Sequence, residues 1–167
     1  FWQANYNQLV NLFPEFKDVS VDELVSMINK TECALIRTEA DELTYPLHIM
    51  VRYEIEKEIA KGNIDYDKLP ELWADKYEEY LGVRPANYKE GVLQDMHWST
   101  GYLGYFPTYA LGSAYAAQLY ATIEKEFDVE EALLTNHFEK ITDWLKENVH
   151  HYAASKSMAE IVEEVSS

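Results

Sequence analysis

The sequence predicts an all-α protein. Apolar residues recur at spacings of three and four along most of the chain, which is the pattern of amphipathic helices. No segment shows the strict alternation of a half-buried strand, and glycine or proline separates one periodic segment from the next. A chain of 167 residues is long enough to bury a sizeable core. We therefore expect residues 1–167 to form one all-helical region.

The first part of the chain contains two predicted helices and a short extended segment. Residues 5–16 carry a helical apolar stripe with Pro14 near its end. Ser20 is placed to cap a second helix, which should end around Lys30. Residues 34–36 are too few for a helix, so they are predicted to be an extended or short strand segment.

A long helix is predicted over residues 39–61. Pro46 is unfavourable in a helix interior, so we expect a boundary or kink there, with the regular part starting near Thr44. Arg52 and Glu56 are four residues apart and are expected to form an ion pair on one face of this helix.

Glycines mark the ends of predicted helices. Gly62 should end the long helix, and Gly82 should end another over residues 67–81. Gly101, Gly104 and Pro107 predict an irregular segment before the chain becomes helical again. The remaining helices are predicted over residues 89–98, 109–127, 130–150 and 157–165.

The composition excludes several classes of partner. A formal net charge of −16 argues against nucleic acid, because a phosphate backbone requires clustered Lys and Arg, and it disfavours anionic membrane surfaces. Cys33 is the single cysteine, so no internal disulfide can form and the chain suits a reducing compartment. There is no apolar run of 18 residues and no signal peptide, so the sequence predicts a cytoplasmic protein.

No complete catalytic set can be read from short motifs. The HExxH pattern of helical zinc proteases, the phosphate-binding glycine loops and the GxSxG nucleophile motif are all absent. One ExxH match occurs, from Glu147 to His150, whereas a di-iron bundle needs two such motifs and further Glu residues. We therefore assign no metal ligands within these 167 residues.

Arg37 follows an apolar segment and precedes three acidic residues. One interpretation is a structural ion pair between Arg37 and Asp41 that locks the start of the long helix. The other is an anion-binding guanidinium that holds a carboxylate through two hydrogen bonds. The spacing by itself favours the structural ion pair.

His97 precedes a tyrosine segment interrupted by glycine. A histidine between large apolar residues is commonly a packed, hydrogen-bonded core residue. Tyr102, Tyr105 and Tyr109 are alternatively placed to supply O–H donors to a developing oxyanion. His48, on the long helix, is either a hydrogen-bond partner of a site residue or an ordinary packed histidine.

Two segments carry longer and more specific motifs. Residues 36–41 read IRTEAD, and residues 91–98 read GVLQDMHW. They resemble the IRxxAD and GxxQDxHW motifs of the Taq (thermostable) carboxypeptidase family of zinc metallopeptidases. The segments ADELTYPLHIMVRYEIE and GYFPTYALG are similar to the C-terminal part of that family, and the resemblance extends over essentially the whole chain.

This resemblance implies an all-helical, cleft-forming, zincin-like metallocarboxypeptidase that releases single residues from peptide C-termini, usually as a cytoplasmic homodimer. It implies that Arg37 and His97 lie in the cleft wall that recognises the C-terminal carboxylate of the substrate. A tyrosine would help to stabilise the tetrahedral intermediate, and we favour Tyr109, then Tyr105. The other residues assigned to substrate binding are Asp41, Gln94 and Tyr102.

The chain departs from the family by lacking its other signatures, which are HPF, DxRxT, HExxH and the third ligand Glu in an HES segment. The sequence also begins with two aromatic residues and no Met. We therefore expect a C-terminal fragment of a larger enzyme. It would lack the zinc ion, the activated water and the general-base Glu, and it would be inactive alone.

The alternative is a complete non-catalytic helical module that binds peptides or a partner protein. The abrupt aromatic start and the motif residues argue against it. The partners expected of the fragment are a peptide C-terminus, the upstream part of the same polypeptide and a second copy. Because a cut inside a cleft exposes apolar surface, we also expect self-association or salt sensitivity.

Overall fold

Eight α-helices and six short 3₁₀ helices make up the computed structural model, which describes residues 1–167 and contains no β-strand. The α-helices are α1 (Trp2–Leu12), α2 (Val21–Ile28), α3 (Tyr45–Ala60), α4 (Leu69–Leu81), α5 (Thr108–Ile123), α6 (Val129–Leu134), α7 (Phe138–Asn148) and α8 (Met158–Ser166). The prediction of an all-α protein is confirmed. None of these helices combines the length and the apolar character needed to cross a membrane.

The chain divides into two compact units, of which the first comprises Phe1–Ile28 and Ser113–Ser167. Apolar side chains from α5, α6, α7 and α8 form its buried core. These are Leu119, Ile123, Val129, Trp144 and Val162. Near the start of the chain, the phenol of Tyr6 donates hydrogen bonds to the carbonyl oxygens of Phe16 and Val19.

The second unit is Asn29–Gly112, and all the residues assigned to substrate binding or catalysis lie in it. Its core is built where α3 packs against α4. The buried core residues are Val51, Ile55, Trp73, Tyr77 and Leu81. The expectation of a single region over residues 1–167 stays a prediction.

The long helix starts where its proline predicts. Thr44 precedes α3, which begins at Tyr45, so Pro46 lies in the first turn. A first-turn residue needs no intrahelical N–H partner, so proline causes no kink there. At the other end Gly62 has φ 71°, and the amide of Asn63 donates to the carbonyl oxygen of Glu58 at 3.1 Å. That pairing is the Schellman helix ending.

The predicted single helix over residues 130–150 is wrong, because the same ending interrupts it. α6 ends at Leu134, and Asn136 adopts a left-handed conformation with φ 59°. The amide of His137 then donates to the carbonyl oxygen of Ala132 at 2.8 Å, and α7 begins at Phe138. Asn is one of the few residues besides glycine that tolerates this backbone region.

Other predicted segments have different bounds, and α5 ends at Ile123, before the predicted residue 127. α1 covers Trp2–Leu12, and Pro14–Phe16 forms a separate 3₁₀ turn, because proline cannot continue the hydrogen-bond ladder. Residues 34–36 form no strand, but Ile36 is extended at φ −99° and ψ 112°, as the extended alternative predicts. Residues 89–98 contain no α-helix; 3₁₀ turns at Val92–Gln94 and Trp98–Thr100 flank Asp95, which is extended at φ −81° and ψ 119°.

Candidate substrate-binding site

The second unit gathers two guanidinium groups around one buried aromatic ring. Phe106 is fully buried. The Cζ atom of Arg52 lies 4.5 Å from its ring centroid, and the Cζ atom of Arg37 lies 4.9 Å from the same point. These distances fall within the range of cation–π attraction. The turn at Arg37–Glu39 and the helix α3 thus converge on one ring.

An imidazole and three phenols extend this cluster toward solvent. The ring of His97 stacks on that of Tyr105 with centroids 5.5 Å apart, and it meets Phe106 edge-on at 5.3 Å. Tyr105 also contacts Tyr102 at 5.8 Å and Tyr109 at 5.7 Å. The exposed fractions of Tyr102, Tyr105 and Tyr109 are 59%, 48% and 38%, so a ligand in solution can reach all three side chains.

Arg37 and Asp41 do not form the structural ion pair that the spacing favours. The Oδ2 atom of Asp41 accepts hydrogen bonds from the amide of Glu32 at 3.0 Å and the hydroxyl of Thr44 at 2.9 Å. Its Oδ1 atom accepts from the amides of Leu43 and Thr44, each at 2.9 Å. The Asp41 carboxylate therefore holds the start of α3, while the half-buried Arg37 has no carboxylate within ion-pair distance.

These amide donors change the acidity of Asp41. The hydrogen bond from the Glu32 amide, helped by the bonds from Thr44 and Leu43, lowers the pKa of Asp41 to about 2. Hydrogen bonds to a carboxylate favour its charged form. Asp41 is consequently an anion at any physiological pH.

Gln94 is held by its own loop. Its Nε2 atom donates to the carbonyl oxygen of Lys89 at 2.6 Å. No hydrogen bond joins its side chain to Arg37 or His97. The structure therefore brings Arg37, His97 and the three tyrosines together, and it places Asp41 and Gln94 in the backbone framework around them.

A fully buried ion pair lies behind the cluster. The Nε atom of Arg52 donates to the Oδ2 atom of Asp95 at 3.1 Å, and both side chains are 0% exposed. The predicted pair between Arg52 and Glu56 is therefore wrong. Glu56 instead accepts a hydrogen bond from the indole Nε1 of Trp98 at 2.8 Å. The side chains of Arg52 and Glu56 point inward because their partners lie after residue 90. Spacing within one helix cannot predict such long-range pairs.

His48 and Tyr77 complete this buried polar group. The Nδ1 atom of His48 lies 3.0 Å from the hydroxyl of Tyr77. Burial lowers the pKa of His48 to about 4, and the nearby charges of Arg52 and Arg37 act in the same direction. The imidazole is therefore neutral near pH 7, as a side chain enclosed beside two cations should be.

Residue spacing did not indicate a site role for Phe106 or Tyr77, and it paired Arg52 with Glu56. One signal for the buried group was present in the sequence. His48, Arg52 and Glu56 recur every four residues, which puts three polar side chains on one face of α3. All three are buried, so this face is a polar stripe inside the unit.

No group of three or more His, Cys, Asp or Glu side chains is arranged to hold a metal ion. The neighbours of His97 are aromatic rings, and Asp95 is already committed to Arg52. The residues present do not fit a catalytic metal site, which takes three protein ligands and an open position.

Comparison with known proteins identifies the family. The sequence profile described as "Carboxypeptidase Taq (M32) metallopeptidase" matches residues 1–167. The chain therefore belongs to the M32 family of metallopeptidases, and the resemblance seen in its two motifs is confirmed.

Its relatives include longer carboxypeptidases. The chain is 45% identical over 166 residues to Carboxypeptidase 1 of Bacillus subtilis, covering 98% of this chain and 33% of that protein. It is 42% identical over 151 residues to Thermostable carboxypeptidase 1 of Thermus thermophilus, covering 90% of this chain and 30% of that protein. The M32 carboxypeptidase from Deinococcus radiodurans superposes with a TM-score of 0.93 at 34% identity, covering 99% of this chain and 34% of that one. The chain thus spans about a third of the length of the relatives it matches.

Proposed function

We propose that this chain supplies the side of a metallocarboxypeptidase cleft that binds the C-terminal carboxylate of a peptide substrate. The observation that carries the proposal is the state of Arg37. Its guanidinium has no carboxylate partner and lies at the ring of Phe106, beside an imidazole and exposed phenols. An unpaired guanidinium can hold a carboxylate through two parallel hydrogen bonds, each strengthened by charge.

The other residues of the cluster have distinct proposed roles. His97 stacks on Tyr105, so its ring is held in one plane beside the guanidinium site and can contact the bound carboxylate. Tyr109 packs against both Phe106 and Tyr105 at the start of α5, and its phenol is accessible. We assign it the O–H that is donated to the tetrahedral oxyanion, with Tyr105 as the second choice. Tyr102 borders the same surface.

In this proposal the 167 residues do not hold the catalytic metal. The family implies a divalent metal, and we propose zinc, held by an upstream part of the same polypeptide. The 167 residues alone would then be inactive, because the nucleophilic water and its general base are supplied with the metal. We also propose that the whole enzyme is a cytoplasmic homodimer.

A ligand pair that differs only in charge tests the carboxylate site. A short acylated peptide with a free C-terminal carboxylate should shift the NMR resonances of His97 and Arg37, and the matching C-terminal amide should not. Arg37→Ala should weaken binding of the free acid by about 10- to 100-fold, the usual worth of hydrogen bonds to a charged group. Arg84→Ala is the matched control, because that guanidinium is held by surface carboxylates outside the cluster.

Metal content and activity are measured on the same sample. After incubation with zinc and desalting, elemental analysis should find no retained zinc, and a C-terminal release assay should find no product. Equal binding of the acid and the amide would contradict the carboxylate site. Selective binding of internal peptide segments would instead favour a non-catalytic peptide-binding module.

A further inference from the structure

We propose that Arg52, which lies in neither motif, is the positioning residue of the carboxylate site, acting on His97 through Asp95 and on Arg37 through Phe106. This inference rests on the proposed function, because it concerns the geometry of that site. Arg52 touches no substrate in this account. Its role is to fix the residues that do.

The first link runs from Arg52 to the backbone of His97. One oxygen of Asp95 accepts from Arg52 at 3.1 Å. The other oxygen accepts from the amides of His97 and Trp98, each at 2.9 Å. Because both oxygens of this carboxylate accept hydrogen bonds, it cannot rotate without breaking one set of them. The orientation of the His97–Trp98 turn is therefore tied to the position of the guanidinium.

A second anchor on the same helix supports this link. Glu56 lies one helical turn after Arg52 and accepts the indole N–H of Trp98 at 2.8 Å. α3 therefore holds the turn at two points, one on the backbone and one on the indole. The turn contains the candidate site residue His97, so its position is set by a rigid helix and does not depend on its own loop alone.

The second link runs through the ring of Phe106. Arg52 and Arg37 both lie within 5 Å of this ring centroid, at 4.5 Å and 4.9 Å. Asp95 forms an ion pair with Arg52, whereas Arg37 has no ion-pair partner. The arrangement leaves Arg37 as the uncompensated cation of the cluster, which is the condition that favours an anionic ligand.

Only an arginine can make this set of contacts. Besides Asp95, Arg52 donates from Nη1 to the carbonyl oxygen of His48 at 3.0 Å and to the hydroxyl of Tyr77 at 3.3 Å. Its guanidinium plane also lies over the ring of Trp73, with Cζ 4.6 Å from the centroid. A lysine carries the same charge on one nitrogen and has no planar fork, so it cannot hold Asp95 and the α3 backbone together.

The test uses the 167-residue chain and two readouts. Arg52→Lys should accelerate amide hydrogen exchange at His97 and Trp98 by roughly tenfold, the scale of one lost hydrogen bond to a charged group. It should also lower the preference for a free-acid peptide over its C-terminal amide by roughly tenfold. Amides in the middle of α7 should exchange at the wild-type rate, because α7 belongs to the first unit. Arg84→Lys, a charge-conserving change of a surface arginine, should alter neither readout.

A second variant keeps the proposal testable if Arg52→Lys does not fold. Asp95→Asn retains an oxygen for the two amides but turns an amide group toward the guanidinium, so amide exchange at His97 and Trp98 should accelerate and the preference for the free acid should fall. A purely structural role for Arg52 would weaken binding of acid and amide equally, by lowering the folded fraction.

The outcomes separate this inference from the proposed function. If the wild-type chain prefers the acid and Arg52→Lys keeps that preference, the positioning role is overturned. If the wild-type chain shows no preference, the proposed function fails. In that case amide exchange at His97 and Trp98 is the remaining test of the positioning role, and wild-type exchange rates in Arg52→Lys would overturn it.

Discussion

Removing the carboxylate of Asp95 should strongly destabilise the second unit. The side chains of Arg52 and Asp95 are both 0% exposed and lie 3.1 Å apart, so Asp95→Ala leaves a guanidinium buried without its counter-ion. Breaking a buried pair in this way costs about 3–5 kcal/mol. The amides of His97 and Trp98 also lose their acceptor. Since a domain is stable by only about 5–15 kcal/mol, much of its margin would be lost.

Urea unfolding followed by near-ultraviolet circular dichroism measures this loss. The surface control Arg84→Ala should cost much less than Asp95→Ala, because exposed ion pairs contribute little. The double variant Arg52→Met with Asp95→Leu should cost less than Asp95→Ala alone, since it leaves no uncompensated charge. Equal losses of stability in Asp95→Ala and Arg84→Ala would contradict a stabilising role for the buried pair.

Three further predictions concern pH and surface. Because the folded pKa of His48 is about 4 and its ordinary value is 6.5, the unfolded chain binds its proton more readily, so the free energy of unfolding should fall as the pH drops from 6.5 toward 4. Urea titrations should find this slope flattened in His48→Gln. The folded pKa of Asp41 is about 2, against an ordinary value of 3.8, so the stabilisation from this carboxylate is present above pH 3.8 and is lost toward pH 2. Asp41→Ala should therefore lower the melting temperature near neutral pH but not near pH 2. The control Glu42→Ala should not show this pH-dependent loss. Leu111 and Tyr120 on α5 are 57% and 47% exposed, so the chain should bind an apolar dye and self-associate in sedimentation experiments. A monomer that binds no dye would contradict that expectation.

Local chemistry predicted much of the helical framework. Ser20 caps α2, where its hydroxyl accepts from the amide of Glu23 at 3.2 Å, as the sequence predicts. Gly82 ends α4 in a left-handed conformation with φ 67°. Ser157 and Glu160 form a reciprocal capping box at the start of α8. Each of these capping signals involves residues three or four positions apart, so it can be read from the sequence alone.

The remaining differences arise from interactions that local spacing does not contain. The apolar periodicity continues across Asn136, and only its left-handed backbone separates α6 from α7. Residues 89–98 have a helical pattern, yet the Asp95 side chain accepts hydrogen bonds from the amides of His97 and Trp98, which prevents a helix. Such side-chain bonds compete directly with helical ones.

The candidate site likewise contains residues that the sequence predicted and residues that it did not. The resemblance to the family predicted related roles for Arg37, His97 and the tyrosines, although residues 37 and 97 are far apart in sequence. Spacing alone assigned Arg52 to Glu56, because its actual partner Asp95 lies 43 residues along the chain. A buried long-range pair leaves only an indirect trace in one sequence, which here is the polar stripe on α3.

The most direct test joins this chain to the rest of a related carboxypeptidase. The third of Bacillus subtilis Carboxypeptidase 1 that matches the chain is replaced by these 167 residues, and release of a C-terminal residue from a free-acid peptide is measured. We expect release by the chimera, and a KM at least about tenfold higher for the same chimera carrying Arg37→Ala. An unchanged KM in the Arg37→Ala chimera would contradict the claim that this chain recognises the substrate carboxylate through Arg37.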